Sequence, residues 1–376
     1  MNSWLKNINL EGDRTIWGVV LALSLSSVLV VYSTAGWHFL FSHITKLLLG
    51  LFAMYVVHKI KFKYFSKLGQ LGFLFSLFLL VLVLLIGVSV NGASRWLQIA
   101  GQQFQPSDVA KLAILVYMAR QISKQRDYLH DFKELFWHVL GPLILVCVLI
   151  LPNNFSTAAL VFINGLVLMF VGKIRIKFIA AIIGFAFVGA LTIYGTAKFT
   201  SLGTKIMPRS ATWVSRIDSF FVDAKGDEQT KDFQQTQALV AIQNGGMTGV
   251  GPGKSTQRNI LPYSSSDFIY AIIIEEYGLF GGVLALLFYL ILMFRAIRIA
   301  LRVESVFGSL LATGLMFSLV FQALINMLVS VEVLPVTGQT LPLISMGGTS
   351  IVFSCIAIGI VLSVSRDATD RKYEKA

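Results

Sequence analysis

Apolar stretches of about 20 residues recur from near the start of this chain to near its end, and that is the helix length needed to cross the hydrocarbon of a bilayer. The pattern predicts an all-α polytopic membrane protein. Ten transmembrane helices are expected, at roughly residues 16–35, 38–58, 70–90, 107–122, 136–152, 155–172, 176–197, 267–294, 305–331 and 345–365. The fourth is short and interrupted by Asp108 and Lys111. The eighth is longer than a bilayer requires and is expected to emerge at its inner end. Charged residues make up 13% of the chain, about half the share of a soluble protein. The first apolar run follows a mixed-charge segment and ends without a small-x-small cleavage site, so it reads as a retained helix and not a signal peptide.

The net charge of +12 is explained by where it sits. Lys59, Lys61, Lys63 and Lys67 follow the second span, Arg120, Lys124, Arg126 and Lys133 the fourth, Lys173, Arg175 and Lys177 the sixth, and Arg295, Arg298 and Arg302 the eighth. Arg366, Arg371, Lys372 and Lys375 follow the last. The alternate short loops hold almost no cations, with Arg95 the main exception. The asymmetry predicts cytoplasmic termini, and anionic lipid accounts for the basic charge without nucleic acid. Cys147 and Cys355 lie in apolar runs and offer no disulfide framework. The five histidines show no metal spacing.

One loop breaks the alternation. From about Lys198 to Ser266 the chain is expected outside the membrane, as a large extracytoplasmic loop (198–266) between helices 7 and 8, with a surface helix near Asp232–Ile242. It contains GGMTGVGPGKSTQ, Gly245 to Gln257. The spacing of a nucleotide P-loop fails there, because Thr248 stands where its first glycine belongs. Glycines for tight turns are one reading. Backbone amides and Lys254 meeting a lipid diphosphate is another.

Three further segments carry charge or irregular backbone at membrane depth. In QPSDVAK, Ser107 suits an N-cap, and Asp108 and Lys111 are three apart on one helix face. They read as a buried ion pair or, as intramembrane charges, as functional groups. In LPYSSSDFIYAIIIEEYG, Ser264 suits an N-cap with Asp267 three residues on, close to a capping box. Glu275 and Glu276 lie deeper, on different faces, and each needs its own partner. Asp267 is then a cap, or a reactive carboxylate at a wet mouth. The last loop, LPVTGQTLPLISMGGTS, contains Pro335, Thr337, Ser345, Gly347 and Gly348 in a stretch that no regular helix accommodates. Irregular backbone at that depth must be buried in protein or line a cavity. It is expected to share one extracytoplasmic cavity with Asp267.

These blocks, with NGASRWLQIAGQQFQPSDVAKLA at Asn91–Ala113, carry a resemblance. From Gly12 to Arg366 the sequence resembles the FtsW/RodA/SpoVE group, the SEDS peptidoglycan glycosyltransferases, and is more similar to the division branch, FtsW, than to RodA. The resemblance implies ten transmembrane helices and polymerisation of lipid II into glycan strands on the outer face of the bacterial cytoplasmic (inner) membrane. It places the catalytic aspartate at Asp267, a role compatible with capping. It also implies a class B penicillin-binding transpeptidase as partner and, for a division member, other divisome proteins at the septum. Four positions depart from the family pattern: Asp108 replaces a usual glutamate, Asn154 a usual acid, Ser156 a usual glycine and Met346 a common aromatic.

The chemistry this implies is an inverting displacement in which Asp267 takes the acceptor hydroxyl proton. Arg95, Lys111, Lys254 and Arg258 are the candidates to hold the diphosphate, with Ser345, Gly347 and Gly348 also on the substrate side. Asp108, Glu275, Glu276, Pro335 and Thr337 are supporting residues. A divalent cation (Mg2+ or Mn2+) could share the work, although no dedicated cage is visible. Two other functions fit the residues: a lipid II flippase, and a non-enzymatic scaffold in which Asp267 tolerates asparagine.

Overall fold

The computed structural model describes residues 11–90, 93–99, 102–200, 209–223 and 233–374. Helix α1 (Arg14–Lys59) leaves helical geometry at Gly36 (φ 74°, ψ −178°). Contacts then pair residues about that glycine: Ser27 Oγ lies 2.7 Å from His43 Nε2, and the Trp17 and His58 rings are 5.2 Å apart. In a straight helix these pairs would stand ~24 and ~60 Å apart. Thus α1 is an antiparallel pair of arms, 14–35 and 37–59, where the first two spans are expected.

The chain continues through α2 (Phe65–Ile86) into a small sheet where the apolar pattern predicts only a short connecting loop. Strands β1 (Val88–Val90), β2 (Ala93–Ile99) and β3 (Gln102–Phe104) form an antiparallel meander in that order, with Val88 opposite Trp96 and Leu97 opposite Phe104. Leu97 faces inward and packs with Leu79 and Val83 of α2, which fixes the register and turns Arg95 to the same face. Helices α3 (Pro106–Lys124), α4 (Phe132–Ile150), α5 (Phe155–Val171) and α6 (Ile176–Phe199) follow. Only Ile179 and Ile182 of α6 are buried.

The connection from α6 to the next long helix holds α7 (Ser210–Asp223) and α8 (Phe233–Gly245). The expected surface helix near Asp232–Ile242 is α8, and it is not superficial. Gln235, Ala238, Ala241 and Gly245 are buried, and small side chains there let α8 approach α9 (Ile269–Arg302) closely. Asp232 itself lies outside the described residues. Helices α10 (Val306–Ser330) and α11 (Ser350–Glu374) complete the bundle.

Helix α9 corrects the expected eighth span. Gly278 has φ 70° and ψ −175°, and a Cβ on Gly282 would sit 2.8 Å from Ile274 Cγ1 and 3.2 Å from the Tyr270 hydroxyl. The chain therefore folds back at Gly278. Residues 269–277 form a short arm and 279–302 the long one, so residues 267–277 are not the mouth of a continuous span.

Among the described residues, seven helices are long and apolar enough to cross a membrane, against ten expected. The difference has physical sources. One of the seven, α1, holds two arms; α5 has 17 residues; and α3 carries Asp108, Lys111, Arg120 and Lys124, which lower its apolar character. Helix α10 lies at the centre, packed against α3, α5, α9 and α11. Ser318, Gln322, Asn326 and Ser330 recur on it four residues apart, all buried, and so form one polar stripe.

Candidate functional site

The turn before α9 overturns the capping reading. The Ser264 hydroxyl donates to Arg258 O at 3.0 Å, and α9 starts at Ile269 with Phe268 in the cap position and no side-chain cap bond. Residues 262–268 instead close on Tyr263, whose carbonyl accepts from the amides of Ser266 (2.9 Å) and Asp267 (3.1 Å). That leaves the Asp267 carboxylate unengaged by the helix start. Its backbone carbonyl accepts from Asn326 Nδ2 at 2.7 Å, and a Cβ on Gly338 would lie 3.5 Å from its Oδ2. Burial pushes the Asp267 carboxyl above the usual carboxylate range, opposed by the Ser266 hydroxyl, Arg216 and Arg95.

Two arginines, Arg95 and Arg216, act on the Asp267 carboxyl, and a third, Arg209, neighbours them. Strand β2 presents Arg95, whose Nε donates to Asn153 O at 2.9 Å. Arg209, just before α7, donates from Nη1 to the same carbonyl at 2.9 Å. Arg216, on α7, donates from Nη1 to Val336 O at 3.0 Å. Burial, then Arg209 and Arg216, lower the Arg95 guanidinium to about 10, with Asp267 favouring the cation. Arg209 and Arg216 escaped the sequence reading. The one available signal was the spacing of Trp213 and Ile217 around Arg216, which marks α7 as amphipathic, and Trp213 does pack on Phe155 with ring centroids 4.9 Å apart.

The last loop reaches the same turn through direct hydrogen bonds. Ser345 Oγ accepts from Leu341 N (2.7 Å) and donates to Ser266 O (2.6 Å), while Met346 N donates to Ser265 O at 2.9 Å. Ile344 O accepts from Ser27 Oγ at 2.7 Å, so the loop descends about two turns below the end of the first arm of α1. Gly348 has φ +56° beside the Trp96 ring; Gly347 is its neighbour. Pro335 and Thr337 line an apolar cavity of about 190 Å³ between α5, α7 and α10.

Other expected site residues stand apart. Lys111 Nζ donates to Gln322 Oε1 at 2.6 Å and lies 4.0 Å from Asp108 Oδ1. Gln322 donates on to Thr340 O at 2.9 Å, so this pair braces the last loop from below. Ser107 is not the cap of α3; Gln105 holds that position, and its Nε2 donates to Ser107 Oγ at 2.8 Å. Asn154 caps α5 by accepting from Thr157 N at 3.1 Å, a bond for which neutral asparagine suffices.

Lys254 and Arg258 belong to a separate fastening. Arg258 Nη1 lies 3.0 Å from both Ser33 O and Gly253 O, and the Ser33 hydroxyl bonds Glu276. Glu275 accepts from the Ser255 hydroxyl, from Thr256 N (3.1 Å) and Oγ1 (2.9 Å), and from Gln257 N (3.3 Å). A Cβ on Gly249 (φ +81°) would collide with Glu276 O, and one on Gly278 with Met247 O. The amides of Gly249, Val250, Gly251, Lys254, Thr256 and Gln257 are all engaged within this region. The glycine block is thus a lock onto the short arm of α9, and these six amides are not available to a diphosphate. Glu275→Gln replaces a charged acceptor of several donors by an amide, at an expected cost of about 2–3 kcal/mol. Thermal unfolding in detergent should show it as a lower midpoint.

Among the described residues, no three His, Cys, Asp or Glu side chains gather where they could hold a metal ion. A Mg2+ or Mn2+ ion at this turn would meet one carboxylate amid guanidiniums, a donor set that does not fit a hard cation by itself.

Known proteins of this shape and sequence can now be set beside the site. The chain is 30% identical over 379 residues to a probable peptidoglycan glycosyltransferase FtsW of Methylomonas methanica, covering 95% of this chain and 93% of that protein. It is 31% identical over 322 residues to the stage V sporulation protein E of Bacillus subtilis, covering 85% and 84%. In fold it matches a chain of a peptidoglycan synthase complex that coordinates polymerisation and crosslinking (TM-score 0.77, 24% identity, 95% of this chain and 98% of that one). It also matches the rod shape determining protein RodA of Thermus thermophilus (TM-score 0.69, 24% identity, 95% and 97%). The family model for FtsW, RodA and SpoVE, described as cell cycle protein, matches residues 11–370, and the chain belongs to that family.

Proposed function

We propose that this chain is a peptidoglycan glycosyltransferase that polymerises lipid II at the outer face of the bacterial cytoplasmic membrane. The observation that carries the reading is Asp267: a partly buried carboxylate, free of any capping bond, beside guanidiniums on the face that bears the sheet and the long loop. The names of relatives at 30% identity or above support the same activity. Both termini lie in the cytoplasm on this reading, as the loop charges suggest. The chain works at the division septum beside a class B penicillin-binding transpeptidase and other divisome proteins.

The acceptor sugar hydroxyl attacks C1 of the growing strand. The bond from C1 to the diphosphate oxygen breaks with inversion, and the lipid diphosphate leaves with one added negative charge. Asp267 takes the hydroxyl proton; a carboxyl raised above its usual range is a stronger base once ionised, which suits that role. The guanidiniums meet the charge that develops on the leaving oxygen.

The test is strand formation from labelled lipid II in liposomes, by the full chain with its cognate transpeptidase. Glycan strands are expected; their absence alongside lipid II translocation would move the assignment to a flippase. The acidic limb of the pH–rate profile adds a finer check. Because the base must be ionised, the rate should climb with pH through the raised Asp267 value and then level. A limb centred at an ordinary carboxylate pKa would point to another base.

A further inference from the structure

Ser26 and Ser27 stand side by side in the first arm of α1 and do different things. Ser26 makes the bond usual for a helical serine, from its hydroxyl to the carbonyl four residues back, Ala22 O at 2.9 Å. Ser27 does not. Its hydroxyl donates across the bundle to Ile344 O in the last loop at 2.7 Å. His43 Nε2, on the second arm, lies 2.7 Å from Ser27 Oγ. A hydroxyl has one proton to give, and a carbonyl can only accept. With that proton on Ile344 O, His43 must be the donor to Ser27, through Nε2–H. The imidazole thereby decides which way the serine points.

The contact falls where the last loop is least able to hold itself. Leu343 is fully buried and has φ +68°, a region that a bulky side chain keeps only where its surroundings impose it. The carbonyls on either side are both held by buried hydroxyls: Pro342 O by Tyr289 of the long arm of α9, and Ile344 O by Ser27. Immediately afterwards come the two bonds to the turn before α9, from Ser345 Oγ to Ser266 O at 2.6 Å and from Met346 N to Ser265 O at 2.9 Å. The tie from His43 therefore ends next to the residue that grips the neighbour of Asp267. Packing alone does not call for a histidine here. His43 is 1% exposed, and its Nδ1 has no hydrogen-bond partner among the described residues. The ring carries an unsatisfied acceptor into the core, which an apolar ring would not. What it supplies in return is the Nε2–H.

We propose that His43 is a positioning residue for glycan-strand formation: through Ser27 it fixes Ile344 O and keeps the last loop seated on the turn bearing Asp267. The inference rests on the glycosyltransferase reading. His43 touches no reacting atom in this role. It orients the hydroxyl, the hydroxyl holds the carbonyl, and the loop stays joined to the turn. Without the imidazole, the Ser27 hydroxyl is free to swing back to the carbonyl of Leu23, as that of Ser26 does to Ala22. Ile344 O then loses its donor beside a left-handed leucine.

Three variants separate the bond from the bulk. His43→Phe keeps a ring and removes the donor. His43→Gln puts an amide N–H near the place of Nε2, whereas His43→Asn carries the same amide on a shorter arm. On the full-length chain with lipid II, His43→Phe and His43→Asn are expected to lower kcat about tenfold with KM near wild type, and His43→Gln to recover most of the loss. Because His43 acts through Ser27, adding His43→Phe to Ser27→Ala should slow the chain no further. Hydrogen exchange reads the tie without turnover. The amides of Ile344, Ser345 and Met346, bonded to Leu341 O and Ser265 O, should exchange about tenfold faster in His43→Phe and near the wild-type rate in His43→Gln. Equal slowing by all three variants would overturn the proposal, as would the same further slowing by His43→Phe in the Ser27→Ala background. A lower melting temperature with unchanged kcat would make His43 a packing residue and overturn it too. The two readings fail separately. Faster exchange at residues 344–346 in a chain whose wild type makes no strands sinks the glycosyltransferase reading and leaves the tie standing. Active wild type and His43→Phe chains with the same kcat and the same exchange sink the role of His43 alone.

Discussion

Asp267→Asn is expected to form glycan strands from lipid II on the order of 10³-fold more slowly than wild type, the scale on which a positioned general base contributes. Asparagine matches aspartate in size and would serve equally as a helix cap. A scaffold or capping role would therefore leave the variant active. The structure removes the cap: α9 begins after Phe268 without a side-chain cap bond, and Asn326 and Gly338 meet the backbone and the space beside the carboxylate. What the substitution takes away is a proton acceptor. Stability gives a second, independent readout. The folded carboxyl is raised above its unfolded value, chiefly by burial. Such a group favours the folded chain while protonated, and the advantage is lost as pH rises through the folded value. At neutral pH the wild type bears an ionised, partly desolvated carboxylate, so Asp267→Asn should melt no lower than wild type, and slightly higher. An inactive variant with that melting behaviour identifies a base; full activity returns the search to other acids.

The sequence made the spans readable because lipid demands long apolar segments, and α1 shows how far that went. Its two arms were expected to within a few residues, and Gly36 lies in the gap left between them. The same logic failed at α9. Residues 267–294 read as one apolar run, but Gly278 takes a left-handed φ and lets the backbone of Met247 pass close by. Nothing in hydropathy reports a reversal inside an apolar run; it depends on a glycine block some thirty residues upstream. That block was legible as turns, and its partners Glu275 and Glu276 as acids needing company, whereas their pairing was tertiary. Arg95 was found because it broke the charge pattern of short loops. Arg209 and Arg216 sat among mixed charges in the long loop, where no periodicity ties them to Asp267. Lys254 and Arg258, nearer to Asp267 in sequence, are instead exposed or bound to backbone carbonyls. Sequence proximity was a poor guide where the chain doubles back.

Asn326→Asp should lower strand formation by about 10²-fold, the scale on which misplacing a reacting group by an ångström slows a reaction. Asn326 is 1% exposed and sits on the central stripe of α10. Its Nδ2 donates at 2.7 Å both to Asp267 O and to Gln339 O, so one amide joins the turn bearing the base to the last loop. Gln339 carries the tie onward to Thr157 at 3.0 Å, at the start of α5. Aspartate has the same shape as asparagine but no N–H, and its oxygens would face two carbonyls. If shape alone mattered, the change would be tolerated. If the donor matters, the Asp267 turn and the last loop separate, each with an unsatisfied acceptor costing about 1–3 kcal/mol. Asn326→Gln keeps the donor on a longer arm and should recover part of the rate. The split between kcat and KM decides how Asn326 acts. A positioning residue that touches no substrate should lower kcat while KM for lipid II stays near wild type, because Arg95 and Arg209 are held by Asn153 O, outside the last loop. Parallel loss of affinity and rate would mean that the stripe supports the whole pocket, and Asn326 would then be a structural residue with no special link to the base.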